Sequence, residues 1–312
     1  MPLVALAPAS SDARMSLATA KWNAILLTHP DLAPAVELQR ELIALVIDLD
    51  CTFEQGRLPR LSLPPRYVAA KLAKGIPALF AEPIPVSSAE IHPRFLALCD
   101  ALARGGAGEA ARKIRTAIED GSFELGSLLR ASLTRDHKAV QTGALQRGVA
   151  PDLLWLVAEL AVSPFVHGLQ RLLTDPVGRA ARDEPLRSAL DTWRQGYCPI
   201  CGSWPALAER LQGTRVMRCS FCAFAWSLED AGCFYCGKSA PAFVVSTPEP
   251  GRTDRALETC DACHNYLKAI DVSDPAPFPL IAIADLETME MGVLAMQRGY
   301  HRPHIKAFGA AE

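Results

Sequence analysis

The sequence predicts a multidomain chain, α plus small β: an all-helical N-terminal domain, then two small four-thiolate metal-binding units, then a C-terminal helix. Three observations predict it. Apolar residues recur at three- and four-residue steps from about residue 15 to 192, with few alternating β-branched runs. Beyond residue 193 the composition turns to Cys, aromatic and turn residues. Four Cys-x-x-Cys pairs crowd that last third, at Cys198/Cys201, Cys219/Cys222, Cys233/Cys236 and Cys260/Cys263, and use eight of the ten cysteines.

Taken in order, Leu32 to Leu49 reads as a helix carrying Val36, Leu38, Leu42, Ile43, Val46 and Leu49 on its apolar stripe. Gly56 to Pro65, with three prolines, breaks the pattern and reads as a loop. Helices follow at Ile91 to Arg104, Gly108 to Asp120, Glu124 to Leu133 and His137 to Arg147, joined by short connections. Pro151-Asp152 opens the most apolar stretch, where a first-turn proline forfeits no hydrogen bond and the aspartate suits the positive end of the helix dipole. That stretch is the expected core helix, kinked or restarted at Pro164. Asp175-Pro176 and Glu184-Pro185 bracket a weaker segment, and Leu186 to Trp193 leads into the first Cys pair. Strand-like runs lie at Thr214 to Met217, Ala223 to Leu228 and Ala242 to Thr247, and a final helix at about Leu280 to Gln297. The resulting domains are 1–192, 193–231, 232–278 and 279–312.

Two sulfurs held two residues apart on a tight turn make half of a tetrahedral site, and a second such knuckle completes it. The residues after each second cysteine read Gly202, Ala223, Gly237 and His264. That alternation of Gly and non-Gly resembles one two-knuckle unit written twice. Its ligand sets are Cys198, Cys201, Cys219 and Cys222, then Cys233, Cys236, Cys260 and Cys263. Residues 202–218 separate the knuckles of the first set, within the usual ribbon spacing, and residues 237–259 those of the second, somewhat outside it. An interleaved pairing, first knuckle with third and second with fourth, stays open on spacing alone. So does the metal, because four thiolates suit zinc and a single rubredoxin-type iron equally well.

The formal net charge of -2 argues against a backbone-binding nucleic-acid protein. Phe221, Phe224, Trp226, Phe234 and Tyr235 are therefore expected to pack miniature cores rather than stack on bases. Met1 to Ser16 lacks a basic segment followed by a sustained apolar one, so no signal peptide is expected; apolar runs such as residues 41–48 and 279–285 fall short of a bilayer span. A cytoplasmic location without stable membrane insertion is the expectation, and in that reducing compartment paired cysteines are more often ligands or redox dithiols than structural disulfides. A thiol-disulfide oxidoreductase is the alternative, but no thioredoxin-like βαβ pattern surrounds any pair. No phosphate loop, nucleophile elbow or zinc-protease helix motif is present, and no catalytic residue is assigned. Gly105-Gly-Ala-Gly108 reads as an interhelical turn. His137, His167, His264, His301 and His304 read as core or surface residues, and Cys51 and Cys99 as small hydrophobes.

Gly196-Tyr-Cys-Pro-Ile-Cys-Gly-Ser203, Cys219-Ser-Phe-Cys222 with Trp226, Cys233-x-x-Cys236, Glu258-Thr-Cys-Asp-Ala-Cys263 and Tyr266-Leu-Lys268 together resemble the family of the formate dehydrogenase accessory protein FdhE. The resemblance extends to the Asp285-Leu286 helix and Gly299-Tyr300. It implies two rubredoxin-like sites with iron on the eight knuckle cysteines. It also implies a cytoplasmic, non-enzymatic assembly factor acting on the catalytic subunit of formate dehydrogenase, with homo-oligomerisation left open. The chain departs from the family at Ser227-Leu-Glu-Asp-Ala-Gly232, where an acidic pair replaces a usually basic patch.

Overall fold

The computed structural model describes residues 9–53, 58, 63–174, 183–228, 232–248 and 251–303 of the 312. Most of the expected loop at Gly56 to Pro65, the Asp175-Pro176 turn, the acidic pair Glu229-Asp230, and His304 with Lys306 lie outside the described residues. Contacts divide the chain into two compact units that are not contiguous in sequence. One comprises Ala9–Ser62 and Ala81–Leu169; the other comprises Leu63–Phe80 and Gln170–Lys306. Leu63–Phe80 thus groups with the Cys-rich part.

The first unit is helical, as its periodicity predicts. It contains α1 (Ser11–Thr28), α2 (Ala33–Thr52), α4 (Ser88–Leu102), α5 (Gly108–Glu119), α6 (Leu125–Leu133), α7 (His137–Gln146) and most of α8 (Pro151–Thr174). The starts are capped by side chains that take up otherwise orphaned N–H groups. Ser10 accepts from Ala13 N (3.2 Å), Glu124 from Gly126 N and Ser127 N (2.8 and 2.6 Å), and Asp136 from Ala139 N (3.0 Å). α5 buries Ala111, Ile114, Ala117 and Ile118, one face of its turns. Gly105–Gly108 is the expected turn, a wide one, with Gly106 and Gly108 in the left-handed region. A buried ion pair, Arg14–Asp50 at 2.5 Å, ties α1 to α2, and Trp22 donates to Gln39 at 2.8 Å between the same helices.

α8 runs unbroken through Pro164 rather than restarting there. Its 24 residues are long and apolar enough to cross a membrane by length and composition, which the shorter apolar runs are not. Yet 67% of its most apolar window is buried within the molecule, as in a core helix.

The second unit holds α3 (Pro65–Leu72), which packs on α9 (Glu184–Asp191), and a six-stranded sheet. Its strands are β1 (Pro205–Leu211), β2 (Thr214–Cys219), β3 (Ala225–Ser227), β4 (Phe243–Ser246), β5 (Arg255–Cys260) and β6 (Asn265–Val272), in the order β3-β2-β1-β6-β5-β4. β2, β3 and β4 match the strand-like runs; β1, β5 and β6 add to them. Each half is a three-stranded antiparallel meander, with one knuckle before its first strand and one between its second and third. The halves do not form separate sheets. β1, first in its half, pairs in parallel with β6, third in the other, through Ala208↔Ala269 to Leu211↔Val272. They are joined head to tail, each running the same way.

The C-terminal segment is two helices, α10 (Ile281–Glu287) and α11 (Met289–Gln297), rather than one. The break at Thr288 has a cause. Buried Lys268 of β6 donates to Asp285 O (2.8 Å) and Thr288 O (3.3 Å), taking up carbonyls that a continuing helix would bond. Its ammonium also lies 2.5 Å from Asp285 Oδ1, and Arg302 pairs with the same carboxylate. α11 covers Leu257 and Tyr266 with Met291 and Ala295.

Candidate metal centres

The structure brings the eight knuckle cysteines into two groups, Cys198, Cys201, Cys219 and Cys222, and Cys233, Cys236, Cys260 and Cys263. This is the sequential grouping, not the interleaved one. In the first group Cys198 and Cys222 sulfurs are 3.6 Å apart, Cys201 and Cys219 3.4 Å, and Cys201 and Cys222 3.7 Å. In the second, Cys233–Cys263 is 3.7 Å and Cys236–Cys260 3.6 Å. A regular tetrahedron with metal–sulfur bonds of about 2.3 Å has edges of about 3.8 Å. The spacing therefore fits four thiolates around one ion, and each group could hold a metal ion.

The knuckles are built by backbone. Gly202 N donates to Cys198 O, Gly237 N to Cys233 O and His264 N to Cys260 O, at 2.7 to 2.9 Å. The residue after every second cysteine is left-handed: Gly202 at φ 79°, Ala223 at 59°, Gly237 at 74° and His264 at 53°. The turn is thus the same four times, and glycine is its easiest but not its required occupant. At Cys219 the turn also aims N–H groups at sulfur, with Phe221 N and Cys222 N each 3.4 Å from its Sγ. Such donors stabilise a thiolate.

The groups differ in exposure. All four sulfur-bearing residues of the first are buried, whereas Cys236 is exposed and Cys263 half-buried. The first knuckle is buttressed by the segment before Phe80: Ala78 N donates to Pro199 O (2.8 Å), Leu79 N to Ile200 O (2.9 Å), and Tyr197 Oη to Gly75 O (2.8 Å). Beneath it Arg218 and Glu209 form a buried ion pair. Arg218 also donates to Ala276 O (2.7 Å) while Glu209 accepts from Ala276 N (3.0 Å), so both charges carry further hydrogen bonds. The second group is bordered by the chain end instead, with His301 N donating to His264 O (2.8 Å) and Tyr300 Oη to Asp261 Oδ1 (2.6 Å).

An aromatic series links the halves: Trp193, Tyr197, Trp204, Tyr235 and Phe234 touch in succession at 3.9 to 6.0 Å between ring centres. Gly196 sits where the halves meet. A Cβ there would lie 1.8 Å from Phe234 O, so no side chain fits. Phe221, Phe224, Trp226 and Phe234 are buried, as core residues should be.

Of the remaining candidates, His137 stacks edge-on against Trp155 (5.0 Å), and His167 is buried. Cys99 is buried on α4, and burial pushes its thiol up to about 12. Cys51 is half-buried, 3.5 Å from Arg14 Nη2. None of these joins a cysteine cluster. Arg302, which the sequence places in an irregular tail, instead clamps Asp285. No sequence signal pointed to the Glu209–Arg218 pair, because a strand's buried charge resembles any exposed one until its partner is known.

No family model matches the chain. Among curated proteins, the FdhE homolog of Aquifex aeolicus is 29% identical over 122 residues, 35% of this chain and 40% of that protein. Protein FdhE of Escherichia coli O127:H6 is 30% identical over 116 residues, 36% of this chain and 37% of that protein. The match thus spans about two-fifths of the length of these relatives. The crystal structure of the FdhE protein from Pseudomonas aeruginosa superposes with a TM-score of 0.57 over 96% of both chains, at 19% identity, and so shares the fold. The chain is similar in sequence to FdhE proteins over about a third of its length and shares the fold of one along almost all of it.

Proposed function

We infer that the chain is an accessory protein for formate dehydrogenase: it binds the immature catalytic subunit in the cytoplasm and is needed for that enzyme's activity. The observation that carries this reading is the pair of four-cysteine groups at tetrahedral spacing within a fold that follows an FdhE structure over 96% of its length. Cys198, Cys201, Cys219 and Cys222 hold one metal ion, and Cys233, Cys236, Cys260 and Cys263 the other. Iron is the proposed metal, in rubredoxin-type sites whose four thiolates leave no open position for substrate and suit one-electron chemistry. The site supplies folding free energy as well, since four thiolates buried without a cation are costly.

The test is anaerobic affinity purification of the tagged chain from cells expressing a formate dehydrogenase, beside a Cys233→Ser, Cys236→Ser variant, with metal analysis of both. Recovery of the catalytic subunit by the intact chain alone, with two iron equivalents, is the expected result. Failure of the intact chain to recover a subunit that is present and detectable would remove the reading, and two zinc equivalents from iron-replete cells would remove the iron assignment.

A further inference from the structure

We propose that residues 299–303 form a latch on the last knuckle of the second cysteine group, and that the closed latch and the metal ion inferred above for that group stabilise one another. The two halves treat one carbonyl differently. In the first half Ala223, the left-handed residue after Cys222, accepts at its carbonyl from Arg218 at 3.4 Å. Arg218 is buried on β2, the strand that enters the same knuckle, so this half closes its knuckle from within. In the second half Thr259 stands in the place of Arg218, immediately before the knuckle. The corresponding carbonyl, that of His264, accepts instead from His301 N at 2.8 Å. That donor lies beyond α11, on a segment outside the six strands.

The segment fits the knuckle along its length. Gly299 ends α11 at φ 86°, and a Cβ there would meet nothing within 4 Å, so glycine is used for its backbone angle rather than for room. Tyr300 packs against Leu257, Tyr266, Met291 and Ala295, and its Oη donates to Oδ1 of Asp261, between Cys260 and Cys263, at 2.6 Å. His301 forms a parallel bridge to Asn265, its carbonyl accepting from Tyr266 N at 3.1 Å. β1 pairs with β6 along residues 269–272, so the bridge borders β6 ahead of that stretch. Arg302 fixes the far end on Asp285 and lies over the Tyr266 ring at 5.8 Å.

This closure can be lifted, whereas that of the first half cannot. Arg218 is buried and paired with Glu209, but His301 and Arg302 are exposed. Lifting the latch strips Asp261, His264 and Tyr266 of these partners. Cys260 and Cys263 are then left on a turn held by the β5–β6 ladder and by Asp261 N on Ala242 O. Loss of the ion, conversely, frees the knuckle that the latch grips. Linkage makes the effects reciprocal: the factor by which the closed latch raises ion affinity is the factor by which the ion favours closure. A partner that takes hold of residues 299–303 therefore loosens this ion and leaves the other in place.

In the test, the full chain is loaded with zinc(II), which four thiolates also hold, then mixed with a chelator and a thiol-alkylating reagent while mass spectrometry follows each cysteine. A chain ending at Gly299 is expected to expose Cys260 and Cys263 at least about tenfold faster than the intact chain, with Cys198 and Cys222 unchanged. Tyr300→Phe keeps the ring but loses the bond to Asp261, and should give about fivefold. His301→Ala keeps both main-chain bonds and should match the intact chain. Hydrogen exchange reads the reverse direction. Tyr266 N–H, which faces the latch, should exchange more slowly in the loaded chain than in Cys233→Ser, Cys236→Ser, while Leu267 N–H, which faces β5, changes little. If the shortened chain loses the circular dichroism of the intact one, Tyr300→Phe decides alone. Unchanged rates in the folded variants overturn the latch and leave the metal reading standing. Equal acceleration of both cysteine groups makes residues 299–303 a general support of the sheet and also overturns it. Alkylation of Cys260 and Cys263 in the intact chain before chelator is added, with one zinc equivalent bound, overturns the metal reading of this group and the latch together.

Discussion

The two halves of the sheet repeat one design and differ in what lies against it. Both carry two knuckles, three antiparallel strands and sulfurs within 3.4 to 3.7 Å, yet the first cysteine group is buried and the second opens to solvent at Cys236. Position explains much of this. β1 lies inside the sheet, whereas β4, the corresponding strand of the other half, ends it, and the first knuckle is pinned by Ala78 and Leu79 while the last is bordered by Tyr300 and His301. A ligand motif therefore dictates what can bind, and its neighbours dictate how readily it leaves.

Disabling the sites separately should break the symmetry most visibly. Replacing Cys201 and Cys219 by Ser should abolish a cooperative unfolding transition of the sheet, because structural four-ligand sites contribute roughly 10–16 kcal/mol in small zinc domains. The same change at Cys236 and Cys260 should cost one metal equivalent but leave β1, β2 and β3 protected in hydrogen exchange. Equal loss of protection would show the halves to be one cooperative element.

Glu209→Gln strands Arg218 in a buried setting and should destabilise the first half by about 3–5 kcal/mol. Thermal unfolding measures this, and a change below about 1 kcal/mol would mean that the Ala276 carbonyl alone satisfies Arg218. Chelation should release metal in two phases, the second site at least about tenfold faster, a barrier difference of about 1.4 kcal/mol. A thiol reagent added during the fast phase should modify Cys236 and spare Cys99. A single phase would sink the idea that exposure controls lability.

The smallest effect belongs to the clamp at the second half. Burial raises the Asp285 carboxyl, but Arg302 and Lys268 outweigh it and hold the group below its ordinary value; for Lys268 burial wins and lowers it. A depressed carboxyl stabilises the fold above its unfolded value, near about 3.9, and that contribution is lost as pH falls through the lower folded value. Asp285→Asn should therefore cost about 1 kcal/mol or less at neutral pH, given its part exposure, and should flatten the stability loss below about pH 4. A variant whose acid limb is unchanged would assign that limb to other carboxylates.

Much of this was legible in the sequence, and the omissions have physical reasons. α2 and α4 to α8 announce themselves by apolar period and turn signals, and the eight ligands by spacing, whereas α1 and α3 are not among the expected helices. Pro205-Ala-Leu-Ala-Glu-Arg-Leu211 and Arg255-Ala-Leu-Glu-Thr-Cys260 do not read as strands, because Ala, Leu, Glu and Arg favour helices. Each runs beside a knuckle, and pairing on both sides overrides local preference. Exposure of Cys236 and the role of Arg302 were illegible for another reason: both depend on segments far away in the chain.

Leu63–Phe80 belongs to the same compact unit as Gln170–Lys306, although residues 81–169 separate them in sequence. On a ribosome adding roughly 5–20 residues per second, the buttress Ala78 emerges several seconds or more before the knuckle it supports. β6, which pairs with β1, is made later still. The segment that buttresses the first metal site is thus made long before the knuckle it bonds, so a nascent chain carries residues 63–80 without their partner until residues 197–200 have emerged.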